Sequence, residues 1–330
     1  MTSIHPVLPF SWQAVLALTL ASASCGSVWL PERPPQNEFV FEMSARIASS
    51  EAESVTLWLP APQSDGDQEL GPLITEHSGS GTPREEYFDR GNRLLTITGK
   101  PRPQRPLALA YRVSVRRYRV DRPTENRESG QLPSVSPWLD PPANASPDLV
   151  REEARLLTAG AEGTLAKARI LFDHVIDSMH DRPPGPGGWG RGDLDWILAR
   201  RSGDSMDFSG LLVALCQSLG IPASIEGGYL MPASSEREPS PYYWARFFVP
   251  GMGWIPVDPR GAFDDPERRD AYFGGIREQR LLLTRGRDLD LKPRQQGAAR
   301  NSFLRPYAEA DGVDVSDRIE YGIRFLPAER

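Results

Sequence analysis

The sequence is poor in the residues that most often carry covalent and metal chemistry. Its 330 residues include two cysteines, Cys25 and Cys216, and four histidines, all of which precede residue 181. No cysteine and histidine cluster has metal-ligand spacing, so we expect neither a metal nor a cofactor. The formal net charge of −6 leaves no broad basic field, which argues against nucleic acid as the main partner.

The first residues of the chain also lack a long apolar run. Residues 14–21 are apolar but too few to span a bilayer, and small residues follow at positions 22–26. This pattern predicts an export signal over residues 1–25. It resembles a bacterial lipobox with Cys25 as the lipidated residue, although simple cleavage and an uncleaved anchor stay open. We therefore expect an exported protein of the cell envelope, periplasmic or outer-membrane, or a secreted one, which meets the membrane only through a lipid at Cys25.

The N-terminal half has the texture of a β domain. A proline-rich tether over residues 26–36 precedes short alternating runs at 39–47, 54–59, 93–98 and 107–120, separated by Pro, Gly, Asp and Ser. These runs predict a small antiparallel β domain over residues 37–122. Residues 123–147 have the composition of a linker.

Helical spacing begins after the linker. Apolar residues over 148–180, among them Leu149 and Leu156, form stripes that break near Gly160 and Gly163. We expect these helices to pack against the central helix described next. The second domain is predicted over residues 148–310, and residues 311–330 are predicted to be a strand and tail.

The central stretch starts at Gly203. From Phe208 to Leu219 apolar residues recur at helical spacing, and Gly220 with Pro222 predicts the end of the helix. Ser205 falls in the first turn. There the free backbone N–H groups and the helix dipole favour an anionic nucleophile or an oxyanion.

A strand and a hairpin follow this helix. Residues 224–230 predict a strand, and residues 242–249 and 254–258 flank a turn of Pro and Gly residues at 250–253. The return strand is predicted to bring Asp258 near Tyr242.

These segments resemble the transglutaminase-like superfamily. The motifs that carry the resemblance, in order, are Gly203-Asp204-Ser205, Gly220-Ile221-Pro222-Ala223, Tyr242-Tyr243-Trp244-Ala245-Arg246 and Gly253-Trp254-Ile255-Pro256-Val257-Asp258. The resemblance implies an α+β fold, a papain-like core of helices packed on an antiparallel sheet, here preceded by the small β domain.

The resemblance departs from the family where chemistry would occur. The family cysteine falls on Ser205 and the family histidine on Tyr242, and only the aspartate is kept, as Asp258. A serine hydroxyl needs a base more than a thiol does, and a tyrosine is protonated near neutral pH. His174 and His180 lie six residues apart, about 240° round a helix, so they do not share a face.

Aromatic residues around these motifs are candidates for a substrate groove. The resemblance places Trp189, in Gly188-Trp189-Gly190, in a loop that precedes the nucleophile. The other groove candidates are Tyr243, Trp244 and Trp254, and each could instead cover the core.

Three functions remain open from the sequence. The first is an exported transglutaminase-like protein without catalysis that binds a protein or peptide at the envelope. The alternative is a weak serine-based amide or peptide hydrolase or acyl transferase that uses Ser205 with Asp258. A third reading is a scaffold for another envelope protein, which a filled groove favours over an open aromatic one.

Overall fold

The computed structural model describes residues 37–48, 51–121, 138–139, 147–181, 194–232 and 239–328. Cys25, Trp189, the predicted leader and the predicted tether therefore lie outside the described residues.

The described chain forms eighteen strands, five α-helices and three short 3-10 helices. The strands are β1 (Asn37–Ile47), β2 (Val55–Ala61), β3 (Gln68–Leu70), β4 (Ile74–Ser78), β5 (Arg84–Phe88), β6 (Asn92–Gly99), β7 (Leu107–Arg117), β8 (Val120–Asp121), β9 (His180–Asp181), β10 (Ser202–Gly203), β11 (Ala223–Leu230), β12 (Ser240–Val249), β13 (Gly253–Val257), β14 (Gly275–Ile276), β15 (Arg280–Arg285), β16 (Tyr307–Ala310), β17 (Val313–Asp314) and β18 (Glu320–Pro327). The helices are α1 (Pro147–Leu157), α2 (Thr164–Ser178), α3 (Leu194–Arg200), α4 (Ser205–Ser218) and α5 (Pro259–Asp264), with 3-10 helices at Asp89–Gly91, Pro266–Tyr272 and Ser316–Arg318. This mixture confirms the predicted α+β class.

The first part of the chain forms two antiparallel sheets that share one core. One sheet has the order β18-β1-β7-β3, with β4 also on β7, and the other has the order β17-β16-β2-β6-β5. On β7, Tyr111, Val113 and Val115 are buried while Ser114 and Arg116 are exposed. This alternation follows from the two-residue period of a strand and confirms that one face of β7 meets the core.

The C-terminal residues complete these two sheets. β16 pairs with β2, and β18 pairs with β1 along eight residues, Phe39 to Pro327 through Arg46 to Glu320. Residues 307–327 thus lie with the N-terminal strands, an arrangement that the predicted division at residue 310 did not anticipate.

The second part of the chain packs helices on a four-stranded antiparallel sheet with the order β13-β12-β11-β15. The predicted hairpin is confirmed, because β12 and β13 pair antiparallel from Ala245 with Val257 to Val249 with Gly253. α4 lies against β11 and β12, and every residue from Ser205 to Cys216 is buried. A helix that is buried on all sides belongs in an interior, so α4 is the centre of this part.

One helix boundary agrees with the sequence and one helix face does not. α4 is followed by Gly220 at φ +74°, a left-handed conformation that suits glycine, which confirms the predicted end. On α1, however, Leu149 and Leu156 are 64% and 60% exposed, while Val150 and Ala154 are buried. The expectation that those two leucines face the core was wrong, because Val150 and Ala154 form the packed stripe of this helix. No helix among the described residues is both long and apolar enough to cross a bilayer.

Candidate functional site

Ser205 lies at the start of α4 between two carboxylates. The Asp204 carboxylate accepts a hydrogen bond from the Met206 N–H at 2.8 Å, and the Asp207 carboxylate accepts one from the Asp204 N–H at 3.0 Å. Together they form a capping box. A free N–H that the sequence suggested for an oxyanion is therefore already bonded, and negative charge beside a hydroxyl opposes its ionisation.

The hydroxyl of Ser205 is held by the neighbouring strand. Its Oγ accepts a hydrogen bond from the Tyr243 N–H at 3.2 Å, and the residue is 8% exposed. This bond fixes Ser205 against β12 one residue beyond Tyr242. Within the described part of the chain, no hydrogen bond joins the side chains of Ser205 and Tyr242.

Tyr242 and Asp258 are brought together as predicted. The Tyr242 hydroxyl donates to the Asp258 carboxylate, with oxygen–oxygen distances of 3.1 and 3.2 Å. Asp258 has no exposed surface and also caps α5, where it accepts from the Gly261 N–H at 2.8 Å. The hairpin brings the two residues into contact, because Asp258 directly follows the last paired residue of β13.

Arg280 completes this cluster from the opposite edge of the sheet. Its guanidinium forms an ion pair with the Asp258 carboxylate, and the residue is 5% exposed. The same guanidinium lies 4.9 Å from the Tyr242 ring centre and 5.5 Å from the Trp244 ring centre. Arg280 thus supplies a fixed positive charge beside the position where the family places its imidazole.

The cluster keeps Tyr242 protonated. Burial raises the pKa of Tyr242 well above its ordinary value, and the adjacent Asp258 charge raises it further. A phenol that holds its proton donates to a carboxylate but does not remove a proton from serine. The Asp258 carboxylate in turn accepts hydrogen bonds from a tyrosine, an arginine and a backbone N–H. The side chain that it orients is therefore the phenol of Tyr242.

The histidines lie elsewhere. His174 contacts Glu153 at 2.7 Å, between α2 and α1. His180 is exposed on β9, where it pairs with Ser202, three residues before Ser205. Because this pairing brings His180 near the start of α4, His180 is the histidine to substitute when any residual activity of Ser205 is tested.

The three described groove candidates occupy different environments. Trp244 is 1% exposed, and its indole N–H donates to Glu226 at 2.6 Å, so it belongs to the interior and the groove hypothesis for it was wrong. Tyr243 is half-buried, and its hydroxyl is bonded to Ser302. Burial raises its pKa to about 12.

Trp254 is half-buried at the far end of β13. It lies four positions before Asp258, a spacing of about 13 Å along a strand. The Arg246 guanidinium lies 4.4 Å from the Trp254 ring centre, and the rings of Phe248 and Trp138 pack edge-on against it. Trp254 is therefore part of an aromatic and arginine stack that is separated from Asp258.

Sequence reasoning missed a buried charge network between the two parts of the molecule. Glu226 on β11 contacts Arg285 at 3.0 Å and Arg246 at 3.3 Å, and Arg285 reaches Asp65 at 2.6 Å. Burial lowers the pKa of Arg246 to about 10. The available signal was one acidic and one basic residue inside two otherwise apolar neighbouring strands.

Trp138 is a second residue that the sequence did not single out. It is 8% exposed, and its carbonyl accepts from the Gln217 side chain at 3.1 Å. It lies in the stretch predicted to be a linker, yet it covers Trp254. The part of the chain that the structure describes holds no group of three or more His, Cys, Asp or Glu residues arranged for a metal ion.

A solved structure shares the fold. A candidate cysteine protease from Cytophaga hutchinsonii superposes with a TM-score of 0.55 at 15% identity, covering 89% of this chain and 93% of the other. The periplasmic domain of TgpA from Pseudomonas aeruginosa matches with a TM-score of 0.36 at 19% identity, over 68% of this chain and 89% of that one.

Sequence comparison agrees with the segment singled out by its motifs. An uncharacterized protein of Haemophilus influenzae is 24% identical over 198 residues, which are 50% of this chain and 53% of that protein. The chain thus matches about half the length of this relative. The model of the transglutaminase-like superfamily matches residues 151–259, which include Ser205, Tyr242 and Asp258. Residues 151–259 are a transglutaminase-like domain.

Proposed function

We propose that this protein is an exported transglutaminase-like protein that binds a protein or peptide at the cell envelope without catalysing acyl transfer. The observation that carries the proposal is the buried cluster of Tyr242, Asp258 and Arg280. In it, a protonated phenol and a guanidinium occupy the surroundings of the family's orienting carboxylate. The phenol of Tyr242, which the motif aligns with the family's histidine, holds its proton and so does not act as a general base for Ser205.

Two further observations support binding over turnover. The Ser205 hydroxyl already accepts a hydrogen bond from the Tyr243 N–H, and the Tyr243 hydroxyl is bonded to Ser302. Both groups are therefore engaged within the protein. The fold around them is retained, and we expect its surfaces to bind the partner.

The non-catalytic part is tested by transamidation and amide hydrolysis. We expect the purified chain to join a glutamine peptide to a fluorescent amine, and to cleave a fluorogenic peptide, at the same background rate as Ser205→Ala. Ser209→Ala is the matched control, since Ser209 is another buried serine of the same helix. A rate above background that Ser205→Ala abolishes and Ser209→Ala keeps contradicts this part.

The binding part has its own measurement. A fluorescein-labelled, unfolded protein such as reduced and carboxymethylated lysozyme should show rising anisotropy with added wild-type protein and equally with Ser205→Ala. A flat titration up to the highest soluble concentration contradicts binding to unfolded chains.

The second candidate is a slow serine-based hydrolase or acyl transferase. The observation that favours it is the placement of Ser205 in the first turn of α4. A fluorophosphonate probe that labels Ser205, with labelling reduced by His180→Ala, would support it. Removing part of a triad typically leaves about a thousand- to ten-thousandfold acceleration over water, so its rates would be low.

Export rests on the leader pattern, and Cys25 is its candidate lipid site. We expect palmitate to label the wild-type protein in cells and Cys25→Ser to abolish both the label and recovery in the membrane fraction. An intact leader on cytoplasmic protein contradicts export.

A further inference from the structure

A cavity of about 210 Å³ lies next to Asp258, because the carbonyl oxygen of its lining residue Tyr272 accepts a hydrogen bond from the Asp258 N–H at 3.0 Å. It is bordered by β8, β14 and the 3-10 helix Pro266–Tyr272, and it is partly open to solvent. The residues that line it are Arg119, Val120, Arg268, Ala271, Tyr272, Gly275, Ile276 and Arg277.

All the charged residues that line this cavity are positive. Three of its eight lining residues are arginines, and none of these described residues is acidic. The Arg277 guanidinium reaches Asp265 only at 3.5 Å, and both side chains are more than a third exposed, so this ion pair is weak. Arg268 is exposed on the 3-10 helix. Positive groups that surround one cavity favour an anion inside it.

The floor of the cavity is apolar. Val120, Tyr272 and Ile276 are buried, and Ile276 packs against Trp244 and Leu282 in the interior. An anion such as phosphate would leave this surface uncovered. A ligand that matches both parts therefore has a negative head and an apolar body.

The volume suits a single ring or a short chain. A cavity of about 150 Å³ lined by apolar side chains is large enough for benzene. The space here is larger by about the volume that a carboxylate adds. We therefore expect an apolar carboxylate of about the size of benzoate to fit.

The walls are held in place before any ligand arrives. Gly275 and Ile276 of β14 pair with Asp121 and Val120 of β8. A Cβ on Gly275 would lie 2.1 Å from the Ala271 carbonyl oxygen and 3.2 Å from that of Val120. The backbones of β14, β8 and the 3-10 helix therefore pack closely at this position because it is a glycine. A preformed cavity avoids the ordering cost of assembling a site.

We propose that this cavity binds an apolar carboxylate, with Arg268 and Arg277 holding the carboxylate and Val120, Tyr272 and Ile276 contacting the apolar group. The same chemistry is present in a free organic acid and in the C-terminal residue of a peptide that ends in an apolar side chain. The inference does not depend on whether Ser205 is catalytic.

The proposal is tested by calorimetric titration of the full chain with benzoate, N-acetylphenylalanine, its neutral amide and inorganic phosphate. We expect at least one carboxylate to bind saturably at concentrations up to about 10 mM and the amide to bind at least about tenfold more weakly. Tighter binding of N-acetylphenylalanine indicates a peptide terminus, and tighter binding of benzoate indicates a free acid.

Variants locate the binding. Arg268→Gln and Arg277→Gln should each weaken it about fivefold or more, and Ala271→Leu should weaken it by filling space without changing charge. Arg102→Gln, at an exposed turn of the β sheets, is the matched control and should bind like the wild type. Equal binding of acid and amide, binding of phosphate alone, unchanged affinity in the three cavity variants, or no saturable binding overturns the proposal.

Discussion

Arg280 and Asp258 form a buried ion pair that lies directly beside the Tyr242 hydroxyl. β15 supplies the arginine, and the end of β13 supplies the aspartate, so the pair joins the two edges of the four-stranded sheet. The pair explains how a carboxylate without exposed surface is accommodated in the interior: its charge is balanced by a guanidinium from elsewhere in the fold.

Arg280→Met should destabilise the protein strongly. Removing one partner of a buried pair leaves the other charge unpaired, which costs about 3 to 5 kcal/mol of unfolding free energy. Urea unfolding measures it. The matched control is Arg277→Met, whose exposed pair with Asp265 is worth about 1 kcal/mol or less. The double variant Arg280→Met with Asp258→Asn should recover part of the loss, and simple additivity of the two single losses would show that the pair is not coupled.

Rebuilding the family residues should restore a reactive thiol only in part. Ser205→Cys with Tyr242→His places a thiol and an imidazole where the family has them, but the Arg280 charge beside the imidazole opposes its protonated form. We expect modest iodoacetamide reactivity in the double variant and more when Arg280→Gln is added.

Cys216 is the internal control for that experiment. Burial raises its pKa to about 12, so it should stay unmodified in every folded variant. If the new thiol reacts no faster than an ordinary exposed cysteine with or without Arg280, the placement of Tyr242 relative to Ser205 inferred from the resemblance is wrong.

Local signals in the sequence predicted local structure well. Turn residues at 250–253 predicted the β12 and β13 hairpin, and with it the contact of Tyr242 with Asp258, because hairpin register follows from the turn. Gly220 likewise predicted the end of α4. In each case the information lies within a few residues of the feature.

Features that depend on distant residues were not predictable in the same way. The partner of Asp258 is 22 residues away on a strand at the other sheet edge, and no local pattern assigns Arg280 to it. β18 pairs with β1 across nearly the whole chain. Alternation in β12 marks two faces but does not tell which face is covered, so Trp244 was expected in a groove and lies in the interior.

The ion pairs of Glu153 should give the protein a measurable acid sensitivity. Burial acts to raise the pKa of Glu153, but the hydrogen bonds from His174 and Arg201 lower it to about 2. A depressed folded pKa contributes stability that is present above the unfolded value, about 4.3, and is lost as pH falls toward 2.

Glu153→Gln should therefore narrow the difference between urea midpoints at about pH 5 and about pH 3. Glu152→Gln, the exposed neighbour paired with Arg155, should change that difference much less, and equal changes in the two variants would contradict this account.

The charge network at Glu226 should be the strongest link between the β sheets and the core sheet. Glu226 is 5% exposed, and it balances Arg246 and Arg285, the second of which also binds Asp65 from the first part of the chain.

Glu226→Gln keeps the shape of the side chain and removes the charge that these two guanidinium groups share. We expect a loss of about 3 kcal/mol or more in unfolding free energy, because the Arg246 guanidinium then loses its carboxylate and Arg285 keeps only Asp65. Glu85→Gln breaks the exposed pair with Arg93 and should cost about 1 kcal/mol or less. Urea unfolding followed by tryptophan fluorescence checks both, since Trp244 donates to Glu226 and reports on the same environment. Equal losses in the two variants would mean that the buried network adds no more stability than a surface pair.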